Sequence, residues 1–309
     1  MKYAERADNV YLIDTKMFGF DNYNAAYIVA GKEVVLIDTG LPNQTEALRA
    51  GIKAHGFSVN DISKIFVTHG HSDHYGNVGP LLRENPRAEV YIHPAGAHCL
   101  IDPAAVSARL KGLLLPQMIA RFGEAEPVPP SRIRHLNDGD VFDLGNGEKL
   151  KIIFAPGHQP SGIVILEEKN KGLFINDLVG LYLADANVSL ILNPYNSDVM
   201  QAMDSLKKLM DLPLSRLFLG HFGIHDEPKK LMKRTLDSMQ RLLDIGAQCT
   251  AKGRPEDIEP AITASKVPEA KKLKKVRGKA MYDYIVEELI PHQSTSFAKY
   301  YVNLQQQKR

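Results

Sequence analysis

The stretch Thr68-His69-Gly70-His71-Ser72-Asp73-His74-Tyr75-Gly76-Asn77 places three histidines and one carboxylate within six positions. His69 and His71 are spaced i, i+2, so in an extended segment both side chains point to one side. Two imidazole nitrogens can then converge on one metal at about 2.0–2.1 Å. Asp73 and His74 follow where the chain turns and can face a second centre a few ångströms away. Imidazole plus carboxylate is a borderline-hard donor set suited to zinc, iron or manganese. Solvated loop histidines with no shared role are the alternative. That alternative accounts for a single histidine better than for four ligands in six residues.

Such a cluster needs a scaffold. Lys64-Ile65-Phe66-Val67, just before it, is apolar and β-branched and reads as a buried strand. Leu81-Leu82-Arg83 reads as the start of a helix, which puts the cluster on a strand-to-helix loop, where functional groups are commonly displayed. Upstream, Val10-Tyr11-Leu12-Ile13, Asn24 to Ala30 and Glu33 to Ile37 read as strands, the last two as a hairpin around Gly31-Lys32. The third ends in Asp38-Thr39-Gly40, and a carboxylate there is placed to accept a ligand histidine's N–H and fix its tautomer; a plain turn or cap residue is the alternative. Gln44 to His55 has helical spacing, and His55 reads as a last-turn cation.

Further along, Glu89 to Ile92 is a strand and Pro94 opens a short helix. His93 and His98 lack ligand-like spacing to the cluster. Pro103 to Phe122 reads as a helical excursion with an apolar stripe of Val106, Leu110, Leu113, Leu114 and Met118, able to form core, roof a site or make a dimer face. Two strand pairs follow, Val141 to Gly145 with Lys149 to Phe154, and Ile163 to Leu166 with Gly172 to Ile175. Pro156-Gly157 leaves His158 on a loop. Asp198 to Asp211 is a capped helix with Met200, Met203, Leu206, Leu209 and Met210 inward, and Leu217 to Gly220 is a strand delivering His221. Asp38, His69, His158, Asp177 and His221 thus each lie at or just past the end of an apolar strand.

At 309 residues the chain can bury a full core, as one large domain or a domain with an appendage. Its 44% hydrophobic and 24% charged content is ordinary for a globular protein, and a net charge of +2 gives no reason to invoke nucleic acid or a membrane. Cys99 and Cys249 make no disulfide framework and read as buried apolar residues, which fits a reducing cytoplasm. The N-terminus has no apolar signal core and no run reaches the length of a membrane span, so a cytoplasmic protein is expected.

The HxHxDH run at His69, His71, Asp73 and His74, the PGH at His158, the strand-end Asp177 and the late GH at His221 together resemble the metallo-β-lactamase superfamily. Leu36-Ile37-Asp38-Thr39-Gly40 and Asp138-Gly139-Asp140 resemble it too, and the likeness covers roughly residues 8–226. It implies an α/β fold, an αββα four-layer sandwich of two mixed sheets flanked by helices. The first metal would be bound by His69, His71 and His158, the second by Asp73, His74 and His221, with Asp177 bridging and Asp38 in the outer sphere. Two divalent ions are implied, zinc first, iron or manganese otherwise. Flavodiiron-type relatives usually carry a carboxylate in place of the second histidine, so His71 speaks against that branch. Glyoxalase II and lactonase relatives often have two glycines after the fourth ligand; here Asn77 follows Gly76, Asn176 precedes Asp177, and Phe222-Gly223 follows His221.

The resemblance implies a hydrolase in which a metal-bridging hydroxide attacks a thioester or a lactone/ester of a small molecule, with Asp73 and Asp177 as the catalytic carboxylates. Phosphodiester hydrolysis, an iron-dependent oxygenase or redox enzyme, and a non-catalytic sensor are the rivals. Tyr182 and Tyr195 can donate to an oxyanion, or simply pack. Residues 1–226 are expected to form the catalytic domain, with a helical insertion near 103–123, and 227–309 an α-helical subdomain. Homodimerisation through the insertion or the C-terminal helices is in keeping with both. The tail's basic run, Lys266, Lys271, Lys272, Lys274, Lys275, Arg277 and Lys279 against Glu269, reads as a solvated face or as an anion site. It lacks interleaved aromatics, so nucleic-acid stacking is unsupported.

Overall fold

The computed structural model describes residues 6–110, 120–192 and 196–307. Among these residues the chain divides into two compact units. One comprises Met1–Pro156, Pro160–Asn176 and Pro213–Pro228, the other Gly157–Gln159, Asp177–Leu212 and Lys229–Arg309.

The first unit holds two large mixed sheets. In one, β1 (Arg6–Ala7), β2 (Val10–Asp14), β3 (Ala25–Ala30), β4 (Val34–Ile37), β5 (Ile62–Val67), β6 (Glu89–Ile92) and β7 (Ile133–His135) lie in sequence order. The first four pair antiparallel; from β4 onward the pairs are parallel. Parallel pairing requires a crossover between strands, and helix Thr45–Ala54 provides the first, burying Leu48 and Ile52. It also brings the C-terminal ends of β4 and β5 to one edge, which is where Asp38 and His69 stand.

β8 (Val141–Gly145), β9 (Glu148–Phe154), β10 (Ile163–Glu167) and β11 (Gly172–Ile175) form the second sheet as antiparallel neighbours. A small hairpin, β12 (Leu181–Leu183) and β13 (Val188–Leu190), follows in the second unit. β14 (Arg216–Leu219) then returns to pair parallel with β11, and β15 (Ile224–His225) closes the order β15-β14-β11-β10-β9-β8. The parallel β11/β14 pair puts Asp177 and His221 just beyond two neighbouring strand ends.

Between the sheets, Tyr27, Phe174 and Phe218 pack with ring centres 4.4–5.6 Å apart, and Phe66, Tyr91 and Phe142 at 4.9–5.2 Å. Each fully buried ring contributes about 1.5–3 kcal/mol relative to exposure. Outside the first sheet a second cluster, including Leu36, Leu48, Ile65, Leu81 and Val90, seats the helices.

In the second unit, helix Val199–Met210 is capped by the Asp198 carboxylate, which accepts from the Gln201 N–H at 3.0 Å. Met203, Leu206 and Leu209 are buried, whereas Met200, expected inward, is 42% exposed at the first turn. Helices Pro228–Ala251, Ile258–Val276 and Ile290–Gln307 form the C-terminal region. Ile258, Ile262, Leu273, Phe297 and Tyr301 are buried there. The basic run lies on and after the middle helix, and it is not uniformly solvated. Lys266 is buried, and the Arg277 guanidinium meets the Asp185 carboxylate at 2.8 Å. Of the helical excursion, Pro103–Leu110 is a helix; Leu113, Leu114 and Met118 lie outside the described residues. No helix among the described residues is long and apolar enough to cross a membrane.

Candidate metal centre

β5 ends at Val67, and the next two residues begin the site. His71 is extended (φ −95°, ψ 144°), so His69 and His71 do lie on one side of an extended segment, with His69 Nε2 2.9 Å from His71 Nδ1. Ser72–Tyr75 is a single helical turn rather than a loop, and the helix beyond it runs Val78–Glu84, so Leu81 to Arg83 close it rather than open it. The turn sets Asp73 and His74 side by side.

Asp38 organises this corner. It adopts φ 57°, a left-handed conformation that Asp tolerates better than most residues. Its Oδ1 accepts from the Thr68 N–H at 2.8 Å, and its Oδ2 accepts from the Thr68 hydroxyl at 2.8 Å and from His74 Nδ1 at 2.7 Å. Because the Thr68 hydroxyl spends its proton on Asp38, its lone pair is left for His69 Nδ1, 3.2 Å away.

The same logic repeats at the two later histidines. His158 Nδ1 donates to the Leu192 carbonyl (3.1 Å) and His221 Nδ1 to the Tyr23 carbonyl (3.2 Å). A carbonyl only accepts, so the proton sits on Nδ1. In four histidines, then, Nδ1–H is tied to an acceptor and Nε2 is left as a lone-pair donor, the state in which imidazole binds a metal.

These Nε2 atoms converge with the carboxylates. Asp73 Oδ2 is 3.6 Å from both His74 Nε2 and His221 Nε2, and Asp177 Oδ2 is 3.5 Å from His158 Nε2. Two donors about 2.05 Å from one ion stand about 3.3 Å apart at a tetrahedral angle and about 2.9 Å apart at a right angle, so the spacings suit a shared cation. Two groups can each hold one: His69, His71, His158 and Asp177; and Asp73, His74, Asp177 and His221, the ligand atoms within each lying inside 4.8 Å of one another. Asp177 belongs to both. All seven residues are buried except His71, which is partly exposed. Burying so many ionisable groups is costly unless a counter-charge compensates them, and the donor set therefore fits divalent ions.

Other histidines stand apart in role. His55 Nε2 meets the Leu12 carbonyl at 2.8 Å, and His93 and His98 each bond Ala95 backbone atoms. Tyr182 lies under the Arg234 guanidinium, 5.2 Å from its ring centre; Tyr195 lies outside the described residues. Both cysteines are free; Cys99 is buried, its thiol pushed up to about 11 by burial, and Cys249 is partly exposed.

Three residues that sequence reasoning set aside turn out to hold the site. Thr68 links Asp38 to His69. Asn77 is fully buried and donates from Nδ2 to the Thr39 and Leu41 carbonyls (2.6 and 2.8 Å), while the Thr39 N–H donates to the His74 carbonyl at 2.7 Å. Asn176 Nδ2 donates to the Ile163 carbonyl at 2.9 Å. Thr68 and Asn176 each stand directly after a strand, following Val67 and Ile175, and Asn77 directly before a helix; those positions are their one local signal.

The metallo-β-lactamase superfamily family model matches residues 18–221, and with this fold and donor set the chain belongs to that superfamily. It is 23% identical over 211 residues to a β-lactamase-like protein 2 homolog of Caenorhabditis elegans, covering 68% of this chain and 59% of that protein. It is 24% identical over 220 residues to an atrochrysone carboxyl ACP thioesterase of Aspergillus fumigatus, covering 71% and 56%. The chain thus spans less than two thirds of the length of either. Among solved structures, a metallo-β-lactamase family protein from Thermus thermophilus superposes with a TM-score of 0.64 at 20% identity, over 96% of this chain and 94% of that one. That likeness bears on fold, and it extends through the C-terminal helices.

Proposed function

We propose that the protein is a metal-dependent hydrolase that works with two divalent ions, zinc or alternatively iron or manganese, on a thioester or lactone/ester of a small molecule. The observation that carries this reading is the shared tautomer of His69, His74, His158 and His221, each with Nδ1–H engaged and Nε2 left to ligate. His69, His71 and His158 would hold one ion, Asp73, His74 and His221 the other, and Asp177 both. Bound there, divalent ions would supply Lewis acidity, lowering the pKa of a water towards ~7 and polarising the electrophilic carbonyl.

The chain's own residues do the rest. Asp38 and the Leu192 and Tyr23 carbonyls accept from Nδ1–H and fix the ring orientation, turning Nε2 of His74, His158 and His221 towards the ions. Asp73 presents a carboxylate oxygen between two imidazoles, where it can take a proton from water and return it to the leaving group. Burial of the donors keeps the local dielectric low and strengthens each electrostatic contact. The Aspergillus relative is named for thioester hydrolysis, which supports a thioester first. Free Cys99 and Cys249 support a reducing, cytoplasmic setting.

The test is a hydrolysis panel of thioesters, lactones, esters and phosphodiesters on metal-quantified protein, with His71→Ala and Asp177→Ala alongside. Each change should cut turnover at least about a hundredfold while leaving the circular dichroism unchanged. Unchanged turnover in both variants would reject the assignment.

A further inference from the structure

His69, His71 and His158, the histidines assigned to the first ion, come from two distant stretches of chain. His69 and His71 flank Gly70, and His158 stands on the loop between β9 and β10. That loop is closed at its neck, where the Ala155 N–H donates to the Gly162 carbonyl at 2.9 Å. Ser161 lies just inside the neck, on the same loop as His158. Its Oγ accepts from the Gly70 N–H at 3.2 Å, within hydrogen-bond range, although the two residues are 91 positions apart.

Both ends of this bond are buried, Ser161 being 2% exposed. A buried N–H needs an acceptor, and Gly70 finds one in a side chain. The neighbouring tie, from the Ile163 N–H to the Thr68 carbonyl at 2.9 Å, is backbone to backbone and does not depend on side chains. Ser161 therefore supplies the part of this seam that the side-chain sequence encodes. The turn Pro94–Gly96 passes close behind it: a Cβ on Gly96 would stand 3.1 Å from the Ser161 Cβ, which limits the room the serine has to shift.

The second ion's histidines are supported from elsewhere. His74 is held by the Asp38 carboxylate at Nδ1 and by the Thr39 N–H at its carbonyl, and His221 by the Tyr23 carbonyl. Those supports come from the segment after β4 and from the β2–β3 loop, not from the loop that carries Ser161.

We propose that Ser161 is a positioning residue for the first centre alone. Through Gly70 it sets the His69–His71 pair against His158, so the two ions have separable supports and the first can be weakened without the second. The inference deepens the two-ion reading and rests on it for the assignment of histidines to centres.

The experiment compares the full chain in native, Ser161→Ala, His71→Ala and doubly substituted forms. Ser161 keeps a negative φ, so alanine fits the backbone and removes only the hydroxyl, and the circular dichroism should not change. Competition with a chromophoric chelator follows zinc uptake by metal-free protein, and native protein should fill in two steps. Ser161→Ala should weaken one step about tenfold, the lower end of the range typical for an outer partner, and leave the other within about twofold. His71→Ala marks the affected step as that of the first centre, and adding Ser161→Ala to it should alter the remaining step by less than about twofold. Hydrogen exchange needs no ion: in metal-free protein the Gly70 amide should exchange at least about tenfold faster in Ser161→Ala than in native protein, with the Thr39 amide unchanged. Weakening of both zinc steps alike, or of neither, overturns the proposal. Equal Gly70 exchange in the two proteins overturns it whatever the metals do. If native protein takes up a single ion, the two-ion reading falls and the separable supports fall with it, even where Gly70 exchange confirms the bond.

Discussion

Asp38→Asn isolates the outer sphere from the fold. The native carboxylate is 3% exposed and accepts three hydrogen bonds, from the Thr68 N–H, the Thr68 hydroxyl and His74 Nδ1. Asparagine is isosteric, and its carbonyl oxygen can still accept from the Thr68 N–H. Its NH2 group, however, now faces His74 Nδ1 and the Thr68 hydroxyl. His74 can satisfy it only by moving its own proton to Nε2, so that Nδ1 accepts. The backbone contacts survive, but Nε2–H then points at Asp73 and cannot ligate. Recovering the lone pair forces two donors together. Loss of such a partner typically costs 10–100-fold in metal affinity, or about 1.4–2.7 kcal/mol. The metal-free fold should lose less, about 1 kcal/mol, because a charged acceptor is replaced by a neutral one. Chelator competition on the refolded variant reads the first quantity, and urea denaturation of the metal-free forms reads the second. Metal affinity within twofold of the native value would refute the tautomer reasoning. So would a variant whose fold fails before its metal affinity does.

Two further changes probe other supports. Gly157 has φ 139°, and a Cβ there would come within 2.3 Å of the Ala202 backbone, so Gly157→Ala should displace His158 and lower bound metal at least about tenfold. Elemental analysis after dialysis checks it, and full metal content would contradict it. Glu148 is buried beside the Glu167 carboxylate, and burial first, then that neighbouring charge, raises its pKa to about 7. Its raised value means that the unfolded chain gives up the proton first as pH climbs, from about 4.5, and the folded protein only near 7, so stability falls across that window and levels off above it. Glu148→Gln should therefore be neutral at pH 4.5 and, after allowance for screening, stabilise by about 1–2 kcal/mol at pH 8 in urea melts. Equal gains at both pH values would count against it.

Among the candidate ligands, His69, His158, Asp177 and His221 were legible because each sits at or just past the point where a short apolar run stops, and strand ends leave a local mark. His69, His71, Asp73 and His74 announce themselves by spacing alone. The supports do not. Asn77 bonds to Thr39 and Leu41, and Asn176 to Ile163, partners 13 to 38 positions away. Nothing within a few residues of either asparagine encodes that pairing, so in the sequence both read only as departures from the family pattern. The helical turn Ser72–Tyr75 was also hidden, being shorter than any helical period can reveal. Lys266 was lost inside a basic run, because composition cannot tell a solvated lysine from a buried one.

The backbone just ahead of two ligands is clamped across the sandwich. The Thr68 carbonyl, before His69, accepts from the Ile163 N–H of the opposite sheet at 2.9 Å. The Gly220 carbonyl, before His221, accepts from the Ala25 N–H at 2.8 Å, again across the sheets, and the Tyr27 hydroxyl holds the Leu219 carbonyl at 2.7 Å. None of these bonds, and none of the four Nδ1 contacts, needs an ion. The donors are thus positioned before metal arrives, unlike a site that exists only when metal folds it. Exhaustive chelation should accordingly leave the circular dichroism intact. Metal should add stability only by mass action, about 4 kcal/mol at a free concentration a thousand times its dissociation constant. Urea denaturation at graded free zinc measures that dependence. Collapse of the sheet signal on chelation would mean that the ions, rather than the cross-sheet bonds, hold the rim together.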